Sequence, residues 1–143
     1  MKTLSTINDL AIWIQDNMLS LPQKKQATII TLSGDLGVGK TALVQELAKQ
    51  LGIIEPITSP TFVIQKEYTV SSHAWVRRLV HIDAYRLENK TDLEHLGWNV
   101  IIDDPETLIC FEWPEKVSGI ELPDVLRIKL QLNSDHTRTI SFI

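Results

Sequence analysis

Ala27-Thr28-Ile29-Ile30-Thr31-Leu32-Ser33-Gly34-Asp35-Leu36-Gly37-Val38-Gly39-Lys40-Thr41-Ala42-Leu43-Val44 carries three signals in succession. The first six residues are a short, β-branched, apolar run, as expected of a strand buried in a sheet. Gly34, Gly39, Lys40 and Thr41 then satisfy G-x-x-x-x-G-K-[ST], and helix formers follow at once. By average residue usage the pattern alone arises by chance in about one of two hundred chains of this length, and the flanking strand and helix make chance rarer still. Glycines let the backbone fold tightly, so that successive N–H groups point inward at phosphate oxygens beside a helix N-terminus. Lys40 then reaches the β and γ phosphates, and Thr41 offers its hydroxyl to Mg²⁺, a cation that takes oxygen ligands.

Upstream, Ile7, Leu10, Ala11, Ile14 and Met18 fall at helical spacing, predicting an amphipathic helix over residues 7–19 that Pro22 ends. Downstream, apolar residues at 43, 44, 47, 48 and 51 predict a helix over 42–51, with Gly52 as its stop. Thr58-Ser59-Pro60-Thr61 is turn-like and precedes a predicted strand over 62–70; a second follows over 79–85. Residues 91–102 have helical character broken near Gly97, and 107–113 form another short apolar strand. Two arms, 125–132 and 137–142, joined by Asn133-Ser134-Asp135, predict a closing hairpin. With no repeat, low-complexity tract or linker, residues 1–143 read as one α/β domain of P-loop NTPase type. Its central sheet is mixed, flanked by helices and closed by the C-terminal antiparallel hairpin.

The composition suits such a domain: 143 residues, 43% hydrophobic and 22% charged. A net charge of −4 argues against a surface built chiefly to neutralise nucleic-acid phosphates. Arg77-Arg78 is read as a solvated loop or strand end rather than a binding stripe. The lone Cys110 lies in the apolar run Leu108-Ile109-Cys110-Phe111 and reads as a small buried hydrophobe. Without a cysteine pair, a secretory leader or a long apolar span, the expected location is the reducing cytoplasm, with no membrane partner.

A phosphate loop of this kind works with a carboxylate at the end of a neighbouring strand. Two strands offer one, ending in Asp83 and in Glu112, and periodicity does not choose between them. His81 alternates with Asp83 and Tyr85, so all three are expected on one face, His81 as an orienting or hydrogen-bonded core histidine rather than a metal ligand. Trp113, beside Glu112, reads first as packing. Asn89-Lys90-Thr91-Asp92 spells the N-K-x-D of guanine recognition, but it lies only about fifty residues past the loop and closes no apolar strand. It reads instead as a helix cap, on Thr91 or Asp92.

Taken in order, the 34–41 loop, Ser59-Pro60-Thr61-Phe62, His81-Ile82-Asp83-Ala84-Tyr85-Arg86-Leu87 and Glu112-Trp113-Pro114 closely resemble the bacterial TsaE (YjeE) family over nearly the whole chain. Its members are ATPases needed to make threonylcarbamoyladenosine beside the anticodon of tRNAs. The resemblance implies ATP or ADP as ligand and Mg²⁺ as the sole metal, held by Thr41 and Glu112. It implies catalytic roles for Lys40, Asp83 and Glu112, and nucleotide contacts from Gly34, Asp35, Leu36, Gly37, Val38, Gly39, Lys40, Thr41, Ala42, Thr61 and Trp113. Thr61 belongs to the switch-like loop near the γ-phosphate, and Thr6 is the candidate for the threonine near the adenine. TsaB and TsaD are the implied partners, with tRNA reached only through their complex. No arginine is visibly placed on the γ-phosphate, Arg86 being a candidate for that role or for an ion pair. The expected activity is therefore ATP hydrolysis that is weak alone and stimulated by partners. A nucleotide-gated interaction module is the rival, and a small-molecule kinase would need a lid that so short a chain lacks.

Overall fold

The computed structural model describes residues 1–57, 64–122 and 124–143. Seven strands run in chain order as β1 (Lys2–Leu4), β2 (Thr28–Ser33), β3 (Gln65–Thr69), β4 (Arg78–Asp83), β5 (Thr107–Glu112), β6 (Leu126–Leu132) and β7 (Arg138–Phe142). They form one mixed sheet in the order β1-β7-β6-β2-β5-β4-β3. β6, β2, β5 and β4 are mutually parallel, while β3 on one side and the β7–β1 pair on the other are antiparallel to their neighbours. Parallel strands need both faces covered. Here α1 (Ile7–Asn17) and α2 (Lys40–Gln50) cover one face, and the short α3 (Lys90–Glu94) and α4 (Trp98–Ile101) the other.

The pleat sorts the core between the two layers. Ile30, Leu32, Leu79, Cys110 and Ile128 pack with Ile14, Leu43 and Leu47 of α1 and α2, whereas Ile29, Val80, Ile82, Ile109 and Phe111 meet Leu93, Trp98 and Ile101 on the opposite side. Burial pushes the Cys110 thiol well above its ordinary value, so it stays protonated. No described helix is long and apolar enough to cross a membrane.

Several expectations need correction. Ile7 is 64% exposed, and Trp13 takes its place in the buried stripe of α1. Trp13 is drawn inward because β7 brings Phe142 within 5.4 Å of its ring, a contact that helical periodicity cannot register. The N-K-x-D cap is Asn89, not Thr91 or Asp92. The Asn89 side chain accepts from the Asp92 N–H, and the Asp92 carboxylate returns bonds to the backbone N–H groups of Glu88 and Asn89. The strand expected to reach Tyr85 stops at Asp83, and the one expected to reach Trp113 stops at Glu112. Trp113 turns into the left-handed region at φ 59° to start a 3-10 turn over Pro114–Lys116. β1 has too few residues to declare itself and exists through pairing with β7. Arg78 opens β4 with Arg77 just before it, and Arg78 meets Asp104 at 3.0 Å and Glu67 at 3.4 Å, at the opposite end of the strand from Asp83.

Candidate nucleotide site

β2 ends at Ser33, and the glycine-rich loop carries the chain from the sheet edge to α2. At Gly34 the requirement for glycine is steric as well as conformational. A Cβ there would lie 2.5 Å from the Leu130 carbonyl oxygen and 2.8 Å from Val38 Cγ1, at φ +147°. The loop is thus pressed against β6. It is also tied to β7, because Arg138 Nε donates to the Val38 carbonyl at 3.2 Å. Gly39, left-handed at φ 116°, precedes α2 without a side-chain cap, so the first N–H groups of the helix stay open to an anion.

Lys40 is only 5% exposed. Its ammonium donates to the Gly34 carbonyl at 2.6 Å and the Asp35 carbonyl at 2.8 Å, and lies 4.2 Å from the centre of the Trp113 ring. Burial holds its pKa below the usual lysine value, while Glu112 and Asp83 pull the other way.

Two acids meet Lys40 across the sheet. Asp83 and Glu112 are register partners at the ends of the parallel strands β4 and β5. Both strand ends are pinned: Ala84 N–H donates to the Glu112 carbonyl at 3.0 Å, and Trp113 N–H to the Leu32 carbonyl at 3.2 Å. Burial, and then the nearby charge of Glu112, raise the Asp83 pKa, although the Tyr85 N–H, His81 and Lys40 partly offset them. Glu112, 2% exposed, faces Thr41, whose Oγ1 lies 3.4 Å from Oε1 and 3.5 Å from Oε2. Those separations are long for an O–H···O hydrogen bond. Adjacent oxygens in an octahedral shell of 2.0–2.1 Å radius lie roughly 3 Å apart, so Thr41 and Glu112 would share a magnesium ion after closing by a few tenths of an ångström.

Leu36, Gly37, Gly39, Lys40, Thr41, Ala42, Asp83, Glu112 and Trp113 line one pocket of about 180 Å³. Sequence reasoning therefore gathered residues that are 77 positions apart at the extremes, Leu36 to Trp113, into one place. Gly34 and Asp35 contribute their carbonyls to Lys40, and Val38 is buried beneath the loop. Thr61 lies outside the described residues. Arg86 lines a separate hollow with Leu87, Glu88 and Asp92. Tyr85 does not continue the strand, yet its ring meets Trp113 edge-on at 5.1 Å.

Beside the loop a more apolar cavity of about 260 Å³ opens between β1, α1 and the hairpin, lined by residues that include Leu4, Thr6, Leu10, Val38, Leu130 and Arg138. It shares Gly39 and Ala42 with the phosphate pocket. Thr6 is the N-cap of α1, its Oγ1 accepting from the Asp9 N–H at 3.1 Å, so its place on the cavity wall is fixed. Sequence reasoning reached Thr6 and the loop-side wall of Val38, Gly39 and Ala42. The walls from β1 and the hairpin, Leu4, Leu130 and Arg138, carry no motif.

A family model described as threonylcarbamoyl adenosine biosynthesis protein TsaE matches residues 4–140. Two proteins named tRNA threonylcarbamoyladenosine biosynthesis protein TsaE are similar to the chain. That of a Synechocystis species is 41% identical over 118 residues, covering 80% of this chain and 69% of the relative. That of a Nostoc species is 43% identical over 93 residues, covering 63% of this chain and 54% of the relative. The crystal structure of Bacillus subtilis YdiB superposes with a TM-score of 0.72 at 25% identity, over 99% of this chain and 82% of that one.

Proposed function

The chain belongs to the TsaE family, and from that premise we propose that it is a magnesium-dependent ATPase serving threonylcarbamoyladenosine modification of tRNA, acting in the cytoplasm with the TsaB–TsaD complex. One observation carries the chemical part: Lys40, Thr41, Asp83 and Glu112 converge on a single pocket at the N-terminus of α2.

The nucleotide's phosphates lie over the uncapped N-terminus of α2 and its loop. Lys40, already stripped of water, exchanges its loop carbonyls for phosphate oxygens, which supply the counter-charge that burial denies it. Thr41 and Glu112 would hold Mg²⁺, which would neutralise charge on the β and γ phosphates. Asp83, one strand farther from the loop, accepts a hydrogen bond from a water and orients its oxygen toward the γ-phosphorus. The new P–O bond forms as the bond to the β,γ-bridging oxygen breaks, and the water's proton passes to a phosphate oxygen, leaving ADP and inorganic phosphate. Trp113 covers Lys40 and limits water around it. The apolar cavity beside the loop, bounded by Leu4, Thr6, Leu10 and Leu130, takes the adenine and ribose.

No arginine is among the described residues lining the phosphate pocket. This favours turnover that is slow without a partner, and it keeps a second reading in view, in which nucleotide binding alone drives assembly with TsaB–TsaD. Single-turnover ATP cleavage, measured with and without TsaB–TsaD, separates the two. Cleavage accelerated by the complex is the expected result, and binding with no cleavage under either condition would overturn the ATPase. Lys40→Ala is expected to abolish nucleotide binding in the same assay.

A further inference from the structure

His81 lies in the middle of β4 with no exposure to solvent, between Val80 and Ile82, which are equally buried. An imidazole in that position forfeits its hydration. Its Nε2 lies 2.8 Å from Glu112 Oε2, while its Nδ1 has no hydrogen-bond partner among the described residues. The two residues are not opposite each other, since His81 is in register with Cys110 and Glu112 with Asp83. His81 therefore reaches diagonally, one pleat forward, to meet the carboxylate on the shared face. A carboxylate that serves as a metal ligand only accepts hydrogen bonds, and on that premise the N–H that His81 directs at Oε2 is the one on Nε2. Both carboxylate oxygens lie almost equally far from Thr41 Oγ1, Oε1 at 3.4 Å and Oε2 at 3.5 Å, so with Oε2 engaged by His81 it is Oε1 whose lone pairs stay free for a cation.

We propose that His81 is the positioning residue of the metal carboxylate: by holding Oε2, it fixes the Glu112 rotamer that presents Oε1 beside the Thr41 hydroxyl. The proposal rests on the reading that Thr41 and Glu112 hold Mg²⁺. Packing alone gives no reason for histidine here, because an apolar residue like its strand neighbours would fill the layer without leaving Nδ1 bare. A ligand carboxylate oriented by a neighbouring donor, in contrast, binds its metal more tightly than a free one.

The test compares the wild-type chain, His81→Leu and His81→Gln, with ADP affinity measured by calorimetry as Mg²⁺ is titrated from an EDTA-treated start. His81→Leu is expected to raise the Mg²⁺ concentration for half-maximal tightening by about tenfold or more. His81→Gln, which keeps an N–H donor, recovers most of that loss, and ADP affinity in EDTA is the same for all three. An unchanged Mg²⁺ requirement in folded His81→Leu overturns the proposal, as does an equal loss of ADP affinity with and without Mg²⁺. Should His81→Leu fail to fold, ¹⁵N NMR of the wild-type histidine ring decides instead: a proton on Nε2 is expected, and a bare Nε2 with the proton on Nδ1 overturns the assignment. If wild-type ADP binding is indifferent to Mg²⁺, the metal reading itself falls and the proposal with it. Failure of the proposal alone leaves the wild-type Mg²⁺ dependence intact.

Discussion

Asp83 shows how a functional side chain can oppose the fold that holds it. Burial and the adjacent Glu112 raise its pKa, so folding favours the protonated form. Its raised folded value means that this group's contribution to stability is fully present below the ordinary aspartate value of 3.8 and is lost as pH rises through the folded value. Asp83→Asn keeps an oxygen to accept the Tyr85 N–H, which Asp83 Oδ1 now does at 3.0 Å, and removes the charge. It is expected to melt a few degrees above wild type at neutral pH and to lose ATP cleavage while retaining nucleotide binding. Thermal melts at several pH values check the sign: the gap should shrink as pH falls toward 3.8 and below. The loop glycines divide in a similar physical way. Gly34→Ala forces a Cβ into the Leu130 carbonyl and should cost at least ~2 kcal/mol. Gly37→Ala meets no heavy atom within 4 Å and carries only the strain of φ +78°, about 1 kcal/mol. Urea midpoints rank the two, and equal losses would contradict the steric account.

At the scale of elements, α3 shows a short helix that persists because its N-terminus is satisfied. α3 has five residues, too few to hold by propensity alone, and the reciprocal Asn89–Asp92 box supplies partners for three backbone N–H groups. Asn89→Ala should lower global stability by about 1 kcal/mol in denaturant unfolding. It should leave ADP affinity unchanged, because α3 lies on the face of the sheet opposite α2. A loss of ADP binding in that variant would show that the two faces are coupled. The loop at 71–76 is latched in a comparable manner. His73 Nδ1 accepts the N–H groups of Trp75 and Val76, and the Trp75 indole donates to the Leu21 carbonyl at 3.0 Å. A stretch without any motif is in this way fastened to the end of α1.

Across the whole molecule, the site is a product of strand order. β5 lies next to β2, and β4 one strand beyond, so Glu112 falls beside the loop and Asp83 farther out. A ligand bound there contacts the loop, α2 and two strands at once, and its binding free energy adds to the stability of the whole domain. ADP with Mg²⁺ at one hundred times its Kd should stabilise the fold by about 2.7 kcal/mol, read as a rise in Tm, and EDTA should remove the metal-dependent part. The absence of any shift at saturating ADP would count against the nucleotide site.

The phosphate loop, its strand and its helix were legible from residues 27–51 because glycine conformation, apolar periodicity and helix signals act over neighbouring residues. Asp83 and Glu112 were legible as strand-end acids, and periodicity could not tell them apart, because each follows the same kind of apolar run; only the family resemblance assigned them different roles. Tertiary structure separated them by seating β5, not β4, against β2. It also supplied what no local signal encodes: the Leu130 carbonyl and Arg138 that brace the loop, the diagonal His81–Glu112 contact, and β1, which exists only as a partner of β7. Local sequence determined the conformation of the loop, since that depends on the torsions of its own residues. Tertiary structure decided which distant groups reach it, since that depends on the order and register in which strands far apart in sequence lie side by side.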